Sequence, residues 1–309
     1  MRCYVNIIGV PIDLGSQRVG VDMGPNALRY AGLVAVLQQA GMSVKDWGDI
    51  QVPTPESQSV GSKNLKYLDA IVEVSERLAV MTAQIVEEGG LPLVLGGDHS
   101  LAIGSISGYV ATACQNHGVV WIDAHPDCNT PETTISGNIH GMALSTLLGS
   151  GEPRLVNCHR AGSKLRTDSV ALVGVKDADP AEQVFLREKG LKVFSMDDIN
   201  AHGIAHAADG ISRLFSGRDL IVSLDLDVVD SLFAPGVGIR SHGGLTYREV
   251  KYLCRYLGQH FHIAGIDMVE LNPVFDKDNQ TAELAIELVM ALLGQDYGDY
   301  QQYLRRQKM

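Results

Sequence analysis

Residues 121–142 read W-I-D-A-H-P-D-C-N-T-P-E-T-T-I-S-G-N-I-H-G-M, with Asp123, His125 and Asp127 spaced two apart after an apolar run, G-V-V-W-I, at 118–122. Carboxylates and imidazoles ligate divalent cations, and a carboxylate is almost never fully buried unless it is paired or bound to one. If the strand continued through the triad, its period of two would set all three side chains on one side. A single D-x-H is better read as solvated loop residues, so the rest of the chain has to decide.

The pattern recurs. His99 follows the apolar run 91–95 in L-G-G-D-H-S, Asp225 and Asp227 follow 220–224, and Glu270 follows 263–269. Open parallel sheets bind ligands at the carboxyl ends of their strands. Independent surface loops have no reason to place unusual polar residues there repeatedly. His99, Asp123, His125, Asp127, Asp225 and Asp227 make an oxygen-rich ligand set that suits Mn²⁺ better than a structural zinc. Such a set could neutralise a pair of divalent ions about 3.5–4 Å apart and hold a bridging water, acidified to hydroxide near neutral pH.

The elements that must position these groups alternate strand with helix. Expected strands cover 3–10, 44–47, 91–95, 118–122, 170–175, 193–195, 220–224 and 263–269; expected helices cover 26–40, 64–88, 101–115, 180 onward, 204–215, 247–257 and 281–293. Gly41 and Gly89-Gly90 stop the first two helices, Ser100 or Asp98 could cap the third, and Pro180 suits a first helical turn. No repeat, low-complexity tract or composition break interrupts this order. The alternation implies an α/β fold with a mostly parallel central sheet covered on both faces, most economically one domain spanning 1–309.

The composition, 45% hydrophobic and 20% charged over 309 residues, is that of an ordinary globular protein with an ample core. A net charge of -11 argues against general affinity for nucleic acid or an anionic membrane and favours approach of a cationic small molecule. Cys3, Cys114, Cys128, Cys158 and Cys254 are scattered, odd in number and without a C-x-x-C, as expected of reduced thiols. The N-terminus lacks signal-peptide features and nowhere do 18 apolar residues run together, so the reading is cytoplasmic.

Over essentially its whole length the chain resembles the arginase (ureohydrolase) family. The resemblance is carried by G-G-D-H-S at 96–100, D-A-H-x-D at 123–127, S-L-D-L-D-x-x-D at 223–230 and V-E-L-N-P at 269–273. It implies a three-layer α/β/α fold and a binuclear manganese centre. His99, Asp123, Asp127 and Asp225 would surround one ion and Asp123, His125, Asp225 and Asp227 the other. The implied reaction is hydrolysis of L-arginine to L-ornithine and urea, by attack of the bridging hydroxide on the guanidinium carbon. His140 would be the proton shuttle, with Asp127 in the relay, and Glu270 the partner of the guanidinium. The family also implies a homo-oligomer, trimer or hexamer, to which the tail 296–309, with Tyr297, Tyr300 and Tyr303, could contribute.

The loop 129–141 resembles the arginases proper rather than the agmatinases. Its Asn129, Thr134, Ser136 and Asn138 offer donors for an α-carboxylate, although such residues are also ordinary turn chemistry. Asp179, with Asp177 and Glu182 nearby, corresponds to recognition of the α-ammonium, and Asp179 could equally cap the helix at Pro180. The chain departs from the family after Asp227, with Val228-Val229-Asp230-Ser231 and later Gly238-Ile239-Arg240. Ile239 removes a hydroxyl near the substrate end, and Arg240 adds a charge that could reach the mouth. Two alternatives follow: a relative acting on a modified guanidino acid such as an N-hydroxyarginine, and a catalytically slow, metal-bound regulatory protein.

Overall fold

The computed structural model describes residues 4–16, 18–112, 116–240 and 242–295. The tail from 296, Cys3 and Cys114 lie outside them. In chain order the elements are β1 (Tyr4–Val10), α1 (Gly24–Tyr30), α2 (Leu33–Gln39), β2 (Ser43–Asp49), β3 (Gly61–Ser62), β4 (Leu65–Lys66), α3 (Leu68–Glu87), β5 (Leu91–Gly96), α4 (Ala102–Thr112) and β6 (His117–Ile122). They continue with α5 (Ala143–Leu147), α6 (Pro153–Val156), β7 (Val170–Val173), α7 (Pro180–Lys189), β8 (Lys192–Phe194), α8 (Met196–His202), α9 (Ile204–Leu214), β9 (Asp219–Asp225), α10 (Tyr247–His260), β10 (Ile263–Val269) and α11 (Gln280–Leu292).

Eight strands form one sheet in the order β2-β1-β5-β10-β9-β6-β7-β8, and every neighbouring pair is parallel. Period two along the strands, broken in β10 by a register shift between Ile263 and Gly265, feeds two cores. Val120, Ile122, Leu220, Val222, Leu224, Ile266 and Met268 pack on one face with α1, α2 and α8–α11. Val119, Trp121, Ile221, Ala264 and Val269 pack on the other with α3–α5. Because both faces are covered, β5, β6 and β10 are buried at every position, which explains their continuous apolar runs. The three-layer α/β/α arrangement is therefore present. Among the described residues no helix is long and apolar enough to cross a membrane.

The structure corrects several sequence expectations. The helix expected over 26–40 is two helices, because Gly32 takes φ 97°, a left-handed value that glycine reaches without steric cost. The helix expected from 64 starts at Leu68, since 61–66 form an antiparallel hairpin and Tyr67 turns the chain at φ 55°. The strand through Asp123 does not continue: β6 ends at Ile122 and Asp127 has φ 51°. Asp123, His125 and Asp127 are therefore gathered by a turn, and strand periodicity has no part in it. The helices α5, α6 and α8 were not expected.

Close packing at the strand ends is acute at Gly97. Its N–H donates to the Val10 carbonyl at 3.0 Å and its carbonyl accepts from the Glu270 N–H at 2.8 Å, tying the exits of β1, β5 and β10 together. A Cβ there would lie 1.8 Å from the Ile12 carbonyl oxygen, which is backbone and has no side-chain freedom to yield. We expect Gly97→Ala to lower the stability by about 1–3 kcal/mol, read as a fall in the urea midpoint. An unchanged midpoint would mean this crossing yields easily.

Candidate functional site

The polar residues at the strand ends converge. His99 opens a short 3₁₀ turn directly after β5, capped by Asp98, whose Oδ1 accepts from the Ser100 N–H at 3.0 Å. The Asp98 Oδ2 accepts from the Gly15 N–H at 2.7 Å, anchoring the loop after β1. Asp225 closes β9 and accepts from the Asp227 N–H at 2.8 Å. The Asp227 Oδ1 in turn accepts from the Ala124 N–H at 3.3 Å, tying the β9 and β6 exits together.

Around His99 Nδ1 lie Asp123 Oδ2 at 3.0 Å, Asp127 Oδ2 at 3.2 Å and Asp225 Oδ2 at 3.4 Å. His125 Nδ1 lies 3.0 Å from Asp227 Oδ2 and 3.6 Å from Asp123 Oδ1. Two ligand clusters result, His99 with Asp123 and Asp225, and Asp123 with His125 and Asp227, each with its donor atoms within 4.8 Å of one another. Asp123 belongs to both, one oxygen facing each imidazole. Trp121 holds it in place, donating its indole N–H to Asp123 Oδ2 at 3.1 Å while stacking on His99 at 4.1 Å.

This donor set fits a pair of divalent cations on its own physical terms. Asp123, Asp127, Asp225 and Asp227 are at most 4% exposed, and buried carboxylates this close repel one another. Burial, then the neighbouring carboxylates, pushes Asp225 well above the ordinary range, and burial raises Asp227 to about 6. Burial opposes charge on His99 and His125, yet the surrounding carboxylates hold both above the usual imidazole range. Asp127 Oδ2, buried, has the His99 imidazole 3.2 Å away yet makes no hydrogen bond, the condition of an oxygen that faces a cation.

Glu270 sits beside this cluster in an uncommon left-handed conformation, φ 64°. Its Oε1 is 3.2 Å from both the His99 N–H and His140 Nδ1, while its buried Oε2 has no hydrogen-bond partner. A Cβ at Gly238 would come within 2.7 Å of that Oε2, so glycine there keeps the oxygen clear. Burial works against a charged His140, but Glu270 outweighs it and holds the imidazole up to about 9.

The expected substrate residues lie in the loop after Asp127 and at the start of α7, and each is held by hydrogen bonds. Asn129 donates from Nδ2 to Asp179 Oδ2 at 2.9 Å, and Asp179 Oδ1 caps α7 through the Ala181 and Glu182 N–H groups at 2.9 and 3.0 Å. Thr134 Oγ1 accepts from the Gly137 N–H at 2.9 Å and Ser136 Oγ from the Asn138 N–H at 3.2 Å. Asn138 reaches the Ser16 carbonyl at 3.0 Å. Glu182 is buried, its oxygens accepting from the Cys128 and Asp179 N–H groups at 3.1 Å, so it braces the loop after Asp127. Asp177 is exposed and pairs with Lys176 at 3.3 Å. The Arg240 guanidinium is held by the Pro235 and Phe275 carbonyls at 3.0 and 3.1 Å, which accounts for the charge expected at the mouth.

Sequence reasoning missed Trp121, Gly238 and Asp267 and treated Asp98 only as a cap. Asp267 carried a readable signal, a lone carboxylate within the apolar strand I-A-G-I-D-M-V.

The His140–Glu270 pair makes a pH prediction. The folded value of His140, about 9, lies above the ordinary 6.5, so the pair's stabilisation is complete below pH 6.5 and lost as pH rises through 9. The thermal midpoint of metal-stripped protein should fall across that window, and Glu270→Gln should flatten the fall. A Glu270→Gln profile parallel to wild type would dissociate His140 from Glu270.

Comparison with known proteins gives this geometry its context. The Arginase family model matches residues 4–294. The arginase of Bacillus caldovelox is 43% identical over 294 residues, covering 94% of this chain and 98% of that protein. The crystal structure of native Bacillus caldovelox arginase superposes with a TM-score of 0.92 at 41% identity, covering 96% of this chain and 100% of that one. Entamoeba histolytica arginase in complex with L-ornithine superposes with a TM-score of 0.87 at 30% identity, covering 95% of this chain and 100% of that one. With the match running from residue 4 to residue 294, this protein belongs to the arginase family.

Proposed function

We propose that the protein hydrolyses L-arginine to L-ornithine and urea at a centre of two Mn²⁺ ions. The observation that carries this reading is the pair of ligand clusters sharing Asp123, set beside a buried Glu270 carboxylate with one oxygen unpartnered. His99, Asp123, Asp127 and Asp225 would hold one ion, and Asp123, His125, Asp225 and Asp227 the other. Imidazoles with several carboxylates match the oxygen-rich preference of Mn²⁺. Bound there, the ions supply an acidified water as nucleophile and neutralise the carboxylates.

The chain's own groups do the rest. Glu270 Oε2 pairs with the substrate guanidinium, and the fixed direction of that charged contact orients the central carbon toward the ligand clusters. Asp127, beside His99 at the edge of the cluster, would pass the proton released at the centre toward His140. His140, charged near neutral pH beside Glu270, delivers a proton to the departing amine. At the far end of the substrate, Asn129, Thr134, Ser136 and Asn138 receive the α-carboxylate and Asp179 the α-ammonium. Glu182 positions Asp179 from behind. The Entamoeba histolytica relative was crystallised with L-ornithine, an amino acid with these same end groups. We further read the whole chain as one domain that works in the cytoplasm as a homo-oligomer, trimeric or hexameric.

The deciding assay is urea release in Mn²⁺ from arginine, agmatine, guanidinobutyrate and hydroxyarginine. Arginine should be preferred, and the preference should reverse to agmatine only if the rim does not read the α-carboxylate. Glu270→Gln should lower turnover on the order of 10²-fold or more while Mn²⁺ content stays near wild type. Loss of metal together with turnover would count against guanidinium pairing as its role. His125→Ala or Asp227→Ala should remove an ion and most activity, and near-normal turnover in either would sink the ligand assignment.

A further inference from the structure

The loop after Asp127 has no helix or strand between 129 and 138, and Thr133, Thr134 and Ser136 bind within it. Its placement therefore depends on anchors from elsewhere in the chain. One set of anchors comes from the β3–β4 hairpin, which the chemistry above does not use. Asn64, at the turn of the hairpin, donates from Nδ2 to the Pro131 carbonyl at 2.9 Å, and the Lys66 N–H donates to the Gly137 carbonyl at 3.1 Å. These contacts grip the loop at 131 and 137, on either side of Thr134 and Ser136. Gly137 is also pressed against the backbone of the hairpin. It takes φ 74°, and a Cβ there would lie 1.8 Å from the Lys63 carbonyl oxygen.

A third contact orients a side chain. Lys66 Nζ is 3.4 Å from Asn138 Oδ1, while Asn138 Nδ2 donates to the Ser16 carbonyl at 3.0 Å. An ammonium only donates and a carbonyl only accepts, so the Asn138 amide satisfies both one way round, with its second N–H left to a ligand. The hairpin runs directly into α3, a helix of 20 residues packed closely on α4, so the loop takes its position from the helical layer as well as from the strand ends. We propose that the β3–β4 hairpin is a specificity element, with Asn64 and Lys66 as positioning residues that set the loop for an α-carboxylate and so favour arginine over guanidino compounds lacking one. The inference rests on the assignment of residues 129–138 to the α-carboxylate in the function proposed above.

The test compares steady-state urea release from arginine with the inhibition constant of agmatine as its competitor, in Mn²⁺-loaded protein, with circular dichroism and metal content establishing that each variant is intact. Agmatine carries the same guanidinium, chain and amine without the carboxylate. Asn64→Ala and Lys66→Met should each raise the KM for arginine about 3–10-fold, while kcat and the agmatine constant stay within about twofold of wild type. Asn64→Asp, nearly isosteric but unable to donate, should match or exceed Asn64→Ala. Lys66→Arg, which keeps a donor for Asn138, should recover most of what Lys66→Met loses. If Asn64→Ala does not fold, the contrast between Lys66→Met and Lys66→Arg decides, since the backbone contact of residue 66 survives in both. An unchanged KM for arginine in the folded variants, or an equal rise for arginine and agmatine, would overturn the inference and leave the catalytic reading standing. Should wild-type protein release no urea from arginine, the catalytic reading itself falls, and the role of the hairpin falls with it.

Discussion

The structure is organised around concentrated negative charge held away from water. Asp123, Asp127, Asp225 and Asp227 are all buried within reach of two imidazoles. Two like charges about 4 Å apart repel by ~4 kcal/mol at the effective dielectric of a protein site, and several such pairs exceed the margin by which a domain is folded. Countercharge is therefore a condition of the fold as well as of the chemistry. The surroundings supply what they can: the Trp121 indole N–H for Asp123, backbone N–H groups for Asp225 and Asp227, and imidazoles facing all four. The left-handed backbone at Asp127 and Glu270 adds strain of order 1–3 kcal/mol each, tolerated where packing over-determines it.

A parallel sheet solves the delivery problem. The strands β5, β10, β9 and β6 are consecutive neighbours at the centre of the sheet, and their exits carry His99, Glu270, Asp225 with Asp227, and Asp123 respectively. Adjacent strands lie about 4.8 Å apart, so consecutive exits bring side chains from remote parts of the chain within ligand distance of one another. Cross-links such as Glu270 N–H to Gly97 O and Ala124 N–H to Asp227 fix the relative height of those exits. Rigidity on the scale of a few tenths of an ångström, which a metal centre and a charged substrate both demand, comes from these hydrogen bonds, one between backbone groups and one from backbone to side chain.

The sheet and its ligand-bearing ends were legible because continuous apolar runs followed by carboxylates or histidines are improbable as surface loops. What remained illegible has physical causes. Gly32 and the hairpin 61–66 interrupt helices through backbone conformation, to which hydrophobic periodicity is insensitive. The convergence of Asp123, His125 and Asp127 depends on a turn that period-two reasoning misplaces. Glu182 was placed with the substrate residues by resemblance, whereas one of its oxygens closes a capping box on the Asp179 N–H three residues away and the other meets the Cys128 N–H, 54 residues away. Partners of that kind exist only once the chain is folded.

The two halves of the site differ in how firmly they are specified, and that difference bears on specificity. The ligand half is built on strand ends with backbone cross-links, whereas the rim is a loop whose polar groups bind one another. Asn129 and Asp179, assigned to opposite ends of an amino-acid head group, are directly hydrogen-bonded. On the proposed roles, a substrate engaging one of them perturbs the other, so recognition of carboxylate and ammonium would be coupled and an analogue lacking either would lose more than a single contact. Arg240 is turned onto two carbonyls and the Phe275 ring. On the proposed assignment, discrimination among guanidino compounds depends on the Asn129–Asp179 network and on the clearance that Gly238 gives Glu270.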